Sequence, residues 1–283
     1  MTESNAVKIA NDTVEIATLP EITLRIIQIV QDPKSTAHDL HKIVANDPAL
    51  SSRVLRVVNS AFYGLPGQIG SIDRAIMLLG LNAVKNIAIA ASLSKMFKTA
   101  TTCDALTGKD LWMHSVAVGA TNKLITGAMG LALPDEAFLA GLIHDLGLVA
   151  VMQSQGQKLP EIVARVKAGM SWRQAEQEVL GADHQAIGMA LTTRWKFPRS
   201  FQYVAGYHHE PTVLAKENRL LTMVTHVSDK LAAQGGFGQA LMVEKAGALD
   251  GAVLGEIGLS EGQVEDIRGQ IEAELEVVRA LNE

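Results

Sequence analysis

Six of the eight histidines fall between positions 110 and 229: His114, His144, His184, His208, His209 and His226. His144 is followed by Asp145 inside Ala140-Gly-Leu-Ile-His-Asp-Leu-Gly-Leu148, and His208 by His209 inside Gly206-Tyr-His-His-Glu210. Asp229 follows in Val227-Ser-Asp-Lys-Leu231. Neutral imidazole and carboxylate together suit a divalent transition metal. A His-Asp pair within an apolar helix is costly to bury without such a partner. The mixed nitrogen and oxygen donors of His114, His144, Asp145 and Asp229 favour iron or manganese over a thiolate-rich zinc site. The two oxygens of Asp145 could bridge two ions. Each residue alone is weak evidence, since a lone histidine at a helix end is more often a cap. The signal is the order: His, His-Asp, His, His-His, Asp. A polar network, in which these groups satisfy one another, is the blander alternative.

These residues need helices to carry them. Periodicity predicts one helix from about Lys109 to Ala128 bearing His114, with Asp110 four residues earlier on the same face. Another runs from about Asp135 to Met152, placing His144 and Asp145 about 100° apart around its axis. Gly141 and Gly147 flank that pair and leave room for a second helix or a ligand. His184 stands at a helix start, with Asp183 as N-cap. His208 and His209 end a short apolar helix before Glu210-Pro211, and Asp229 lies on a helix from about Glu217 to Ala233. Asp183 and Glu210 read as capping and solvating groups. His226, one turn from Asp229, is a candidate partner behind the ligands, whereas His38 and His41 read as surface residues.

The rest of the chain also reads as helix. Leu24, Ile26, Ile27 and Val30 are helically spaced. Thr36-Ala-His-Asp39, Ser171-Trp-Arg-Gln174 and Ser260-Glu-Gly-Gln263 resemble capping boxes. Asp47-Pro48 is an N-cap followed by a first-turn proline. Tyr63-Gly-Leu-Pro-Gly67 is a turn, a helix runs from Ser71 to a stop at Gly80, and Asn82–Met96 is nearly apolar. No run alternates long enough to make a strand. The class is all-α, with an N-terminal helical part over 1–100, a metal-binding part over 101–283, and a polar junction near 98–107, packed as one unit. In the last segment Val264, Ile267, Ile271, Val278 and Leu281 recur at near-heptad intervals, interrupted by Glu274. That segment is expected to pack on its own domain, with a homodimer seam as the alternative.

Composition sets outer bounds. The chain has 283 residues, 48% hydrophobic and 4% aromatic, which suits packed helices. Net charge is −5 with no long Lys/Arg block, so a nucleic-acid surface is not expected. The one cysteine, Cys103, precludes an intramolecular disulfide and fits a reducing compartment. Neither a signal peptide nor a membrane span is recognised, and a cytoplasmic protein is expected.

The ordered ligands over 105–235 resemble the HD superfamily of all-α metal-binding domains. Over roughly 13–235 the fuller resemblance is to the HDOD family, the HD-related output domains. It is carried by Leu19-Pro20, Ile43-Val-Ala-Asn-Asp-Pro48, Leu55-Arg-Val-Val-Asn-Ser-Ala-Phe-Tyr63 and Ser71-Ile-Asp-Arg-Ala-Ile-Met-Leu-Leu-Gly80. In the second half it rests on Leu111-Trp-Met-His-Ser115, Phe138-Leu-Ala-Gly-Leu-Ile-His-Asp-Leu-Gly147, Trp195-Lys-Phe-Pro198 and Tyr207-His-His-Glu210. The resemblance implies a bacterial signalling output module, often without shown catalysis. The related HD-GYP phosphodiesterases hydrolyse cyclic dinucleotides. Their metal positions map onto His114, His144, Asp145, His184, His208, His209 and Asp229, with Asp110 where some relatives have an extra acidic ligand.

Two departures count against hydrolysis. Leu148 stands where those enzymes carry a phosphate-neutralising lysine, and Pro211-Thr-Val-Leu-Ala215 replaces their GYP loop. The expected function is therefore regulatory, with one or two divalent ions and a protein partner or small phosphorylated ligand. The alternative is a metal-dependent phosphohydrolase, with Asp145 and Asp229 as its catalytic carboxylates.

Overall fold

The computed structural model describes residues 4–16, 21–32, 34–60, 63–98, 106–131, 133–238 and 247–274. Cys103, most of the expected 98–107 junction, the Leu19-Pro20 motif, Ala61-Phe62, and Val278 and Leu281 lie outside them. The described residues form α-helices and short 3-10 turns, with no strand among them. In order these are α1 (Asn5–Ile16), α2 (Glu21–Gln31), α3 (Ala37–Ala45), α4 (Pro48–Val58), α5 (Ile72–Leu79) and α6 (Leu81–Lys98). Next come α7 (Gly108–Ala128), α8 (Pro134–Ile143), α9 (Leu146–Ser154), α10 (Leu159–Lys167) and α11 (Trp172–Leu180). The last are α12 (His184–Arg194), α13 (Arg199–Tyr207), α14 (Leu220–Gln234), α15 (Gly251–Ile257) and α16 (Glu261–Glu274).

Local chemistry sets the starts. Thr36 and Asp39 form a reciprocal capping box, as do Ser171 and Gln174. Ser260 and Gln263 exchange the same pair of bonds at 3.3 and 3.0 Å. Asp47 accepts from the Leu50 amide at 2.9 Å, with Pro48 in the first turn. Each such cap is worth about 1 kcal/mol. At Gly80 the backbone turns to φ 88, and α5 stops there.

Packing joins the two ends of the chain. α6 lies against α2, α4 and α5 and also against α7 and α8. α7 packs on α8 and α14, and α12 on α9 and α13. α1, not foreseen from the sequence, crosses over to pack on α9 and α12. There Asn5 Nδ2 donates to the Leu180 carbonyl, and Arg194 bonds Asn11. One apolar cluster runs from Ile9 to Ile271. α16 packs on α7 through buried Val264, Ile267 and Ile271, each contributing about 2 kcal/mol. Over Glu261–Glu274 this is the expected own-domain packing.

The expected single helix over 135–152 is in fact two. α8 stops at Ile143, and α9 begins at Leu146 after a turn at His144 and Asp145, where Asp145 adopts φ −100 and ψ 20. The stretch Asp135–Ser154 is long and apolar enough to cross a membrane, but 89% of its apolar window is buried within the fold.

Candidate metal centre

The break at His144-Asp145 turns both side chains toward one point. Asp145 stands at the N-cap position of α9 yet makes no capping bond with its side chain, so its carboxylate stays available. Two glycines permit the surrounding approach. A Cβ on Gly141 of α8 would overlap the backbone of Gly119 on α7. A Cβ on Gly147 of α9 would overlap the carbonyl oxygen of His184, where α12 begins. The space beside both glycines is filled by a neighbouring helix, not by a ligand.

All seven expected residues converge. His184, His208 and His209 form one group of ligating atoms, His114, His144 and Asp229 a second, and His144, Asp145 and His208 a third, each within 4.8 Å. Asp145 lies at the centre: its Oδ2 is 3.2 Å from His144 Nε2, and its Oδ1 is 3.5 Å from His208 Nε2 and 3.8 Å from His184 Nε2. Asp229 Oδ1 is 3.0 Å from His114 Nε2, and its Oδ2 is 3.7 Å from His209 Nδ1. His184 Nε2 and His209 Nε2 face each other at 3.0 Å.

The outer nitrogens fix the tautomers. Nδ1 of His114 bonds the Phe237 carbonyl at 2.8 Å, that of His144 the Gly141 carbonyl at 2.6 Å, and that of His208 the Val204 carbonyl at 3.0 Å. Nδ1 of His184 bonds the Glu176 carboxylate at 2.6 Å. A carbonyl or carboxylate only accepts, so each Nδ1 must carry a proton. The Nε2 lone pairs of the neutral rings then point inward, among carboxylate oxygens that also only accept. His144 Nε2 and His208 Nε2 are buried and have no hydrogen-bond partner, although Asp145 is close. An enclosed ring of acceptors is costly without a shared cation or added protons.

Electrostatics give the same picture. Burial opposes charge on His114, but the hydrogen bond and charge of Asp229 outweigh it and push its pKa up to about 9. His184 also reaches about 9, because Glu176 and then Asp145 outweigh burial. Burial is likewise overcome at Asp145 and Asp229, whose nearby imidazoles hold them below the ordinary carboxylate range. His208 and His209 are lowered, chiefly by burial. Without a cation, the neighbouring carboxylates favour the charged form of His114 and His184.

Other expectations change. Asp110 is not a ligand: its carboxylate accepts from Thr107 Oγ1 at 2.6 Å within the α7 cap. His226 bonds the His208 carbonyl at 2.7 Å, so its hydrogen bond goes to the backbone behind a ligand position. Asp183 caps α12 at Ala186 and, with Glu210, pairs with Arg173, at 2.7 and 3.0 Å. His41 pairs with Asp73, and its side chain is 40% exposed. Leu148 is fully buried and is not among the residues that line the cleft. The cations at the site are instead Arg173 and Lys230. They line a cavity of about 890 Å³ with His114, Asp145, His209 and Asp229.

Glu176 was missed. It is fully buried, and it also accepts from the His184 amide at 2.9 Å and Trp172 Nε1 at 3.1 Å. Its signal was the spacing of Trp172, Glu176 and Leu180, which places it on the inward stripe of α11.

Comparison with known proteins places these features in a family. The HDOD domain model matches residues 16–211. A Treponema pallidum protein of uncharacterised function is 26% identical over 210 residues, covering 72% of this chain. The chain spans 39% of that relative's length. A Geobacter sulfurreducens HDOD domain protein of unknown function has the same fold, with TM-score 0.79 and 24% identity over 98% of this chain and 97% of its own. A candidate phosphohydrolase from Shewanella amazonensis SB2B gives TM-score 0.76 and 22% identity, with 99% of each chain covered.

Proposed function

The chain belongs to the HDOD family, and from that premise we propose that it is a regulatory output module holding one or two divalent cations, iron or manganese. His114, His144 and Asp229 would hold one and His184, His208 and His209 the other, with Asp145 between them. The carrying observation is the inward ring of acceptors, with His144 Nε2 and His208 Nε2 buried and unpartnered. A cation there would supply the positive charge that the ring lacks and draw an anionic ligand toward it. The cleft with Arg173 and Lys230 would admit a small phosphorylated ligand. The module would work in a bacterial cytoplasm and relay cleft occupancy to a protein partner through its N-terminal helices. Exposed Met77 and Leu78 on α5 support an outward-facing role for that half.

Phosphoester hydrolysis is the second reading, favoured by the way Asp145 and Asp229 border an open cleft. In it Asp145 would help hold the metal and Asp229 would orient the attacking water. Elemental analysis after anaerobic purification from metal-supplemented cells tests the first step. Stoichiometric metal is expected in wild type and its loss in the His144→Ala, Asp145→Ala double variant. Metal-free wild type would leave only the polar network. Turnover of cyclic di-GMP or a generic phosphodiester by metal-loaded wild type, abolished in Asp145→Ala, would make the protein an enzyme.

A further inference from the structure

The two groups of ligating atoms differ in charge. His114, His144 and Asp229 include a carboxylate of their own, whereas His184, His208 and His209 include none. Behind the second group sits Glu176. Of the ring histidines with an anchored Nδ1, three donate to backbone carbonyls, and only His184 donates to a carboxylate. Glu176 is held by three N–H donors, two of them from His184 itself. It therefore fixes the ring with Nε2 inward, and its negative charge makes that nitrogen a stronger donor.

We infer that Glu176 is a positioning residue that acts through His184 to set the cation affinity of the His184/His208/His209 group, separately from the His114/His144/Asp229 group. This deepens the metal-holding reading above and rests on it. The competing account is that Glu176 only caps α12 through the His184 amide.

Calorimetric titration of Mn2+ into the metal-free full chain separates these accounts. Two binding steps are expected, and Glu176→Gln, which keeps the volume, weakens one of them about 10- to 100-fold while sparing the other. In His184→Ala that step is already gone, so adding Glu176→Gln changes nothing more. Equal weakening of both steps, no change in either, or a Glu176→Gln effect that persists in the His184→Ala background would overturn the assignment. Proton NMR of the metal-free protein provides a readout without metal: the strongly bonded His184 Nδ1–H gives a low-field resonance that Glu176→Gln removes. Its persistence overturns the assignment. A wild type that binds no Mn2+ but loses that resonance in Glu176→Gln sinks the metal-holding reading and leaves the Glu176–His184 coupling standing.

Discussion

Cation binding should expel protons, and the two raised histidines say how many. His114 and His184 each have a pKa of about 9 in the metal-free protein. Both are therefore charged at pH 7, and each belongs to a different ligating group. A ring whose Nε2 holds a cation cannot keep a proton on that atom. Filling both groups should then release about two protons at pH 7. Each deprotonation costs about 1.4 kcal/mol per pH unit below the folded pKa, so at pH 7 about 3 kcal/mol opposes each ion. Apparent affinity should rise about tenfold per pH unit per ion, flattening above about pH 9.

The metal-free fold should show the opposite trend. Both folded pKa values lie above the ordinary 6.5, so their stabilisation is complete below that value and is lost as pH rises through about 9. Depressed Asp145 and Asp229 add stability above the usual carboxylate pKa that is lost on acidification. Calorimetry in buffers of different ionisation enthalpy counts the protons, and melting across pH 6.5–9 tests the stability trend. Zero proton release at pH 7, with affinity independent of pH, would show the rings already neutral and refute the electrostatic account.

Four further outcomes follow. Gly147→Ala should destabilise the protein by about 1–3 kcal/mol, because its Cβ meets the His184 carbonyl; denaturant unfolding checks this. Leu148→Lys should unfold or aggregate the protein and gain no phosphodiesterase activity, because residue 148 is in the core; a soluble, active variant would contradict its burial. Lys230→Ala should weaken binding of inorganic phosphate to the Mn2+-loaded protein without changing metal content, measured by calorimetry and elemental analysis. Residues 1–100 expressed alone should aggregate, since α1 and α6 pack against helices of the other half; a soluble, cooperatively unfolding fragment would show independent domains.

What the sequence could reveal depended on whether the physical cause was local. Capping at Thr36, Asp47, Ser171 and Asp183 is a bond over three residues, and each was legible. The His/Asp cluster was legible from the order of its residues along the chain, and the fold brings their ligating atoms together. The break between α8 and α9 was not legible, because neither His144 nor Asp145 is a helix-breaking residue type and the flanking glycines read equally as room for a neighbour. It lies where α7 crosses at Gly141 and α12 at Gly147, contacts far apart in sequence. Glu176 was half legible: its spacing with Trp172 and Leu180 marks an inward position, but its partner appears only when α12 brings His184 onto it. Leu148 supplies no charge, as its residue type dictates, but its complete burial in α9 is a matter of packing that the motif alone does not show. Cationic side chains reach the cleft from α11 and α14, at Arg173 and Lys230. A missing motif lysine therefore does not leave the cleft without cations: Arg173 is held there by Asp183 and Glu210, and Lys230 by the Ala248 carbonyl.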